Sequence, residues 1–467
     1  MILRDVRLVD GITAHPAEPV DVRLENGVIT EIAPRVTARD AVADGAGRWL
    51  VPGLWDHHVH LDQWALYASR VDLSRAGSAA EAAATMLAAA AASTLGGITV
   101  GVGFRDALWP DSPSAELVES VHAIAMISAD VHCLWLNSTA LRALGRPARD
   151  WFLREQEAFD VAMAINAAPV DVLDQFAAQV SARAAGRGVV GIVDYEMDGC
   201  LPGWERRMAA GFDVLRVEAS VYPHELDFVP APTGSALTSL LTVGRHKLFA
   251  DGSLGTRTAW CHDPYPEGGH GVAVHPGDEL LEWARRGLDR GLLPTIHAIG
   301  DRGVEQALDV FAALGVPGRM EHAQQVQPGD LPRFAALGVE ASIQPAHLLD
   351  DRDIAEHHWA GATDRTYPFA DLRAAGVRLL VGSDAPVAPL DPWLAMDAAV
   401  NRSWHPEQAL SPAHALQAAT GGVRLAVGTS ADLALCDLDP LDPAHLPGMT
   451  VSATLLGGRP TSGEPWN

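Results

Sequence analysis

The chain has 467 residues, with 59 acidic side chains against 34 basic ones and a formal net charge of −25. So acidic an exterior argues against nucleic acid or an anionic membrane surface as a main partner, because phosphate repels it. With 48% apolar residues there is ample material for a large core, in one big domain with an accessory part or in two to three smaller ones.

The opening MILRDVRLVDG places charges where a signal peptide needs an apolar stretch. The run EAAATMLAAAAAST is too short and too polar at its edges to span a bilayer. Both readings lead to a cytoplasmic expectation. Cys133, Cys200, Cys261 and Cys436 are scattered without CxxC spacing and read as buried thiols in a reducing compartment.

Both ends of the chain read as β. In PVDVRLENGVITEIAPRV, Asn26-Gly27 sits between two alternating runs, and both residues tolerate the positive φ of a type I′ hairpin turn. Near the other end, ADLALCDLD and TVSATLLGGRP are short strands with Gly-rich turns. Neither end can bury a core alone, so residues 1–52 and 423–467 are expected to combine into one small composite β-sandwich. Between them, apolar runs alternate with amphipathic stretches, which implies a parallel sheet. Eight barrel strands are expected, near Leu54, Val189, Leu215, Lys247, Leu293, Arg319, Val339 and Arg378. That makes residues 53–422 a (β/α)8 TIM barrel of the α/β class, with an insertion at about 62–186. A doubly wound sheet fits less well, because no GxGxxG turn follows the first strand.

The motif LVPGLWDHHVHL raises the chemical question. Side chains alternate faces along a strand, so His58 and His60 point together and His57 points away. Such a pair can present two imidazoles to one metal, although two clustered histidines alone are as readily incidental. The rest of the chain adds to them. His297 closes LLPTIHAIGD, His322 closes RMEHAQ, Asp384 closes VRLLVGSDAP and Lys247 opens HKLFADGS. In a parallel barrel all strand ends converge on one mouth, where four histidines, a lysine and an aspartate form a metal site.

These motifs resemble the amidohydrolase superfamily, in the family 3 branch that contains N-substituted formamide deformylase. The resemblance rests on PGLWDHHVHL, KLFADGSLGTRTA, HAIGDRGVEQALDVF, RMEHAQ, ASIQPAHL and GSDAPVAPLDPW, with WLNSTALRALG and SADLALCDLDP outside the barrel strands. It implies metal ligands at His58, His60, Lys247, His297, His322 and Asp384, with Lys247 carboxylated and bridging two metals in many relatives. Two departures stand out. TGGVRLAVGTSADL lacks a helix and turn that relatives carry there, and His57 occupies a position that is commonly small.

The residue chemistry agrees with this implication. Imidazoles and carboxylates suit zinc, at one or two ions per chain. A metal lowers the pKa of its bound water towards ~7 and makes hydroxide available. Asp384 then serves as general acid and base. The expected function is hydrolysis of a non-peptide, amide-like C–N bond in a small molecule. An ester or lactone hydrolase on the same site, and an inactive metal-binding barrel, are the alternatives. Lys247 can be a ligand only if carboxylated or deprotonated, and the alternative is an ion pair with a neighbour such as Asp251. His132, Asn137, Arg257, Gln344 and His347 are expected to line the substrate pocket, with loop-positioning hydrogen bonds as the competing reading. Asp56 and Asp301 are expected to orient neighbouring histidines or cap turns rather than bind metal. A homodimer is the base-rate expectation.

Overall fold

The computed structural model describes the chain apart from residues 17, 38–40, 93–96, 107–108, 129–132, 167–168, 267 and 464–467, and apart from the side chains of 155, 156, 159, 163 and 166. The chain divides into two compact units, Met1–Leu61 with Ser181–Asn467, and Asp62–Val180.

In the first unit the two chain ends form one mixed sheet. Strands Ile2–Leu8, Val20–Glu25, Val28–Ala33, Val42–Asp44 and Trp49–Pro52 join Leu433–Cys436, Val451–Leu456 and Arg459–Gly463. The Asn26-Gly27 hairpin forms as the sequence predicts, with φ of 52° and 80° at the two turn residues and Glu25 paired to Val28. The ends of the chain meet where Trp49–Pro52 runs antiparallel to Leu433–Cys436, with Leu50 opposite Leu435. The alternate residues Leu3, Val22, Leu24, Ile29, Leu50, Leu433 and Leu455 then share one buried cluster. That burial is what makes strands this short hold together.

The remainder of the unit is the expected barrel. Its eight parallel strands are Leu54–Val59, Val189–Asp194, Arg216–Val221, Leu241–Phe249, Pro294–Ala298, Gly318–His322, Val339–Ile343 and Leu379–Val381. Each pairs with the next in sequence order. First and last strands meet through a parallel bridge between Val59 and Ala385, where the Asp384 N–H donates to the His58 carbonyl at 2.7 Å. Closure depends on Gly382, because a Cβ there would lie 2.6 Å from the His58 backbone nitrogen. Asp56 fastens the same seam by accepting from the N–H groups of Ser383 and His58. The last barrel helix, Pro412–Ala419, still buries Ala415, Leu416, Ala418 and Ala419 despite the shortened segment after it.

The foot of the barrel interior is ionic. Arg319 lies 3.4 Å from Glu340 and 3.7 Å from Glu218, and Glu340 also takes Arg245 and Arg378. Outside the strands the core is apolar, with Phe311, Phe334, Phe369, Met320 and Trp393 fully buried between strands and helices.

The second unit has its own sheet, which the sequence reading did not anticipate. Phe152–Arg154, Cys133–Leu136, Ala123–Ser128, Ile98–Phe104 and Val71–Asp72 follow in that order across it. The Ala-rich helix Ala79–Ala92 buries Ala82, Ala83, Met86 and Ala90 against Phe104, Ile124, Met126 and Trp135. A second cluster joins Ala158, Val161 and Ala162 to Ala125, Ile127 and Leu134. All four cysteines are buried and none forms a disulfide. Among the described residues no helix is long and apolar enough to cross a membrane.

Candidate metal centre

The first barrel strand delivers the two histidines as alternation requires. The Nε2 atoms of His58 and His60 lie 3.3 and 3.4 Å from Asp384 Oδ1. His57 faces the other way, stacked on Trp55, with its Nδ1 3.1 Å from the Val381 carbonyl. It belongs to the wall of the barrel and not to the mouth.

Asp384 and His322 reach the site through a backbone that strands do not normally adopt. Their φ angles are 55° and 71°, left-handed values that L-residues disfavour. The turn at each strand end redirects a side chain towards the barrel axis, and strain of this kind persists only where the surrounding structure enforces it. The Val59–Ala385 seam supplies that enforcement at Asp384.

Two ligand-competent groups result among the described residues. His58, His60 and Asp384 form one; His322, His347 and Asp384 form the other. Asp384 is common to both, with His347 Nε2 3.7 Å from its Oδ2. The sequence reading put His347 in the substrate pocket, whereas its imidazole lies beside the aspartate itself. His297 is adjacent but differently engaged. Its ring centroid is 4.4 Å from that of His322, and its Nε2–H donates to the Gly252 carbonyl at 3.1 Å. That bond leaves the lone pair on Nδ1.

Lys247 is fully buried, with Nζ 3.4 Å from His58 Nε2 and 4.1 Å from the Tyr195 ring centroid. The suggested partner Asp251 is used elsewhere, accepting from the backbone N–H groups of Ile299, Gly300 and Trp260. Burial pushes the Lys247 ammonium down to about 8, against the pull of Glu321 and Asp384. Burial likewise pushes His58 to about 4 and His297 to about 3, and holds His322 well below its ordinary value. Burial alone would raise Asp384, but the surrounding imidazoles hold its carboxyl well below the usual range. The mouth therefore offers neutral imidazoles around an ionised carboxylate.

The remaining candidates separate. Gln344 is buried, its amide donating to the Ser342 carbonyl at 3.2 Å while Oε1 has no partner. Arg257 lies on an exposed turn after the fourth strand, at a φ of 58°. Asn137 caps the helix Ser138–Ala143: its Oδ1 accepts from Ala140 and Ile124, and its amide donates to Val118 and His122. With its hydrogen-bonding capacity spent on backbone, Asn137 is a framework residue of the insertion and is withdrawn from the pocket. His132 lies outside the described residues. Asp301 accepts from the side chains of Gln327 and Arg365 and from the His262 backbone N–H.

Sequence reasoning missed Glu321. Wholly buried, it accepts from His58 Nδ1, the Tyr195 hydroxyl and the Thr295 hydroxyl, each at 2.7 Å. A signal existed: Arg319 and Glu321 are alternate residues, and two like-facing charges in a barrel strand must point into a polar interior.

The donor set fits a divalent cation. Buried nitrogens with no hydrogen-bond partner gather here, at His60 Nδ1, His322 Nδ1 and His347 Nε2. For metal bonds of ~2.05 Å in a tetrahedron, ligand atoms stand ~3.3 Å apart. The His58–Asp384 and His60–Asp384 separations of 3.3 and 3.4 Å match that spacing.

Comparison with known proteins gives the same direction. Residues 41–462 match the amidohydrolase family. The protein LONG AFTER FAR-RED 3 of Arabidopsis thaliana is 27% identical, covering 85% of this chain and 78% of its own. The putative amidohydrolase YtcJ of Bacillus subtilis is 28% identical over 46% of each chain, and the N-substituted formamide deformylase of Arthrobacter pascens is 25% identical over 37% of each. Among solved structures, an uncharacterized metal-dependent hydrolase from Pyrococcus horikoshii superposes with a TM-score of 0.79 at 25% identity, covering 95% of this chain and 99% of the other. One from Pyrococcus furiosus gives 0.80 at 24%, covering 94% and 99%, and shares the fold. With most of its length matched, the whole barrel included, this chain belongs to the amidohydrolase family of hydrolases.

Proposed function

We propose that the protein is a metal-dependent hydrolase of a small molecule, cleaving an amide-like C–N bond other than a peptide bond, with Asp384 as general acid and base. One observation carries the reading: Asp384 Oδ1 stands 3.3 and 3.4 Å from the Nε2 atoms of His58 and His60, at the separation that ligands of a shared cation of zinc's size have. A relative named for deformylating N-substituted formamides supports the choice of bond.

When bound, a divalent ion, with zinc best matched to these nitrogen and oxygen donors, polarises the scissile carbonyl and lowers the pKa of water. His58, His60 and Asp384 would hold it at one position, and His322, His347 and Asp384 would hold a second. The chain's own residues do the rest. Asp384 takes the proton of the attacking water and returns it to the leaving nitrogen, which must depart as a neutral amine. The left-handed backbone at Asp384 fixes the carboxylate for that exchange. Lys247, with a pKa lowered to about 8 by burial, supplies the neutral amine that carboxylation needs. As a carbamate it would add an anionic ligand beside His58.

The test joins metal analysis to turnover. Purified protein should hold about one or two zinc ions per chain and hydrolyse a member of a panel of N-substituted formamides, N-acyl amino acids, cyclic amides and lactones. A folded, metal-free protein that gains no activity on adding zinc, cobalt or manganese overturns the reading. Turnover confined to the lactones moves it to the ester class.

A further inference from the structure

Glu321 lies beneath the proposed metal centre with no assigned role. It is wholly buried in the sixth barrel strand. Its Oε2 is 2.7 Å from His58 Nδ1, and its Oε1 accepts from Tyr195 and Thr295 at the same distance. These donors come from three different barrel strands or strand ends, so the carboxylate is held from several sides and has little freedom to turn. A buried carboxylate without such partners would be costly, which makes the arrangement an unusual one to build for packing alone.

The proton on His58 follows from this geometry. An ionised carboxylate only accepts, so His58 must carry its hydrogen on Nδ1 and present a lone pair at Nε2. Nε2 is the atom that faces Asp384 Oδ1 at 3.3 Å. Lys247 Nζ, 3.4 Å from the same Nε2, is a donor and agrees with that tautomer. Gln344 also approaches Nδ1, but at 3.5 Å against 2.7 Å for Glu321, so the carboxylate decides the bond.

We propose that Glu321 is the positioning residue of the metal centre: it sets the Nδ1–H tautomer of His58, fixes the ring against the Tyr195 hydroxyl frame and raises the basicity of the nitrogen that meets the metal. This rests on the metal-centre reading above. Carboxylates that orient metal-bound histidines contribute roughly 10–100-fold in metal affinity. Glu321 never touches substrate, so its effect is on metal retention first and on turnover only through it.

The experiment measures zinc affinity of the full chain by competition with a chromophoric chelator, together with circular dichroism of the metal-free form. Glu321→Gln keeps the size and removes the charge. Glu321→Asp keeps the charge beside Lys247 and Arg319 but withdraws the oxygen from Nδ1. Both should fold and bind zinc about 10–100-fold more weakly than the unmodified chain. A folded variant of either kind with undiminished zinc affinity overturns the proposal, because a structural role alone would leave affinity intact. Should neither variant fold, nitrogen-15 NMR of labelled histidine in the unmodified protein decides, with His58 identified by its loss in His58→Gln. An Nδ1–H, Nε2-lone-pair tautomer supports the proposal, and the opposite tautomer overturns it. Failure of the unmodified chain to bind any metal instead sinks the proposed function, and the two failures are thereby told apart.

Discussion

The barrel interior is polar at both its foot and its mouth, yet the two regions treat their polar groups differently. At the foot, Arg245, Arg319 and Arg378 meet Glu218 and Glu340, so cation is set against anion within the protein. At the mouth, five imidazoles, a lysine and an aspartate converge, and nitrogens of His60, His322 and His347 find no hydrogen-bond partner. Buried polar groups left unmatched are costly, so a cluster of them at one place points to something that completes it. At the foot opposite charges face each other, with Arg245 and Arg319 nitrogens and a Glu218 oxygen still short of a hydrogen bond; at the mouth the unmatched atoms include imidazole nitrogens, donors that a cation completes.

The strongest way to break this contrast is at Asp384. Asp384→Asn should reduce turnover about 10²–10⁴-fold while the chain keeps most of its metal, since the amide oxygen still faces His58 and His60. Steady-state kinetics beside elemental analysis checks it, and unchanged kcat would reject the base. The matching experiment at the foot is Arg319→Met. It removes the partner of Glu218 while Glu340 keeps Arg245 and Arg378, so equilibrium unfolding should show a loss of about 1–3 kcal/mol, with metal content per folded chain unchanged. A parallel loss of metal would mean that the two regions are not separable. Stripping metal with a chelator should lower the thermal midpoint by an amount worth about 3 kcal/mol when free metal had stood near 100 times its dissociation constant. Calorimetry before and after readdition reads it, and Arg319→Met should show the same shift.

The smallest effect concerns His246, which lies on the fourth strand beside Lys247 but faces away from the mouth. Both its ring nitrogens are buried without partners, and the ring fits against Gly287, where a Cβ would lie 2.1 Å from Nδ1. Burial lowers its pKa from 6.5 to about 4. The unfolded chain therefore binds the proton more tightly than the folded one. The stability tied to neutral His246 is full above pH 6.5 and is lost as pH falls towards 4, at up to ~1.4 kcal/mol per unit. His246→Leu should flatten that acid limb and add about 1 kcal/mol at neutral pH, measured by urea unfolding at several pH values. Unlike the orphaned nitrogens at the mouth, those of His246 should prove dispensable to metal binding.

Much of the fold was legible because its signals are local. Asn26-Gly27 specified a hairpin through backbone freedom alone, and the eight barrel strands announced themselves as apolar runs between helical stretches. The faces of His57, His58 and His60 followed from the two-residue period of a strand. The insertion's sheet was not legible, since strands such as Cys133–Leu136 are continuous apolar runs without alternation and lie among Ala-rich helices. Asn137 looked like a pocket residue because a buried amide and a functional one have the same letter; only its four backbone partners reveal which it is.

What the sequence by itself determined is the class of fold and the chemical kinds gathered at its mouth, because periodicity and residue type are properties of the chain taken a few residues at a time. Tertiary structure decided which atoms meet. That His347 stands beside Asp384, that His297 spends Nε2 on Gly252 and that Glu321 grips His58 depend on barrel register and on left-handed turns at His322 and Asp384. Those are set by closure of strands hundreds of residues apart, at the seam where Gly382 lets the last strand lie against the first.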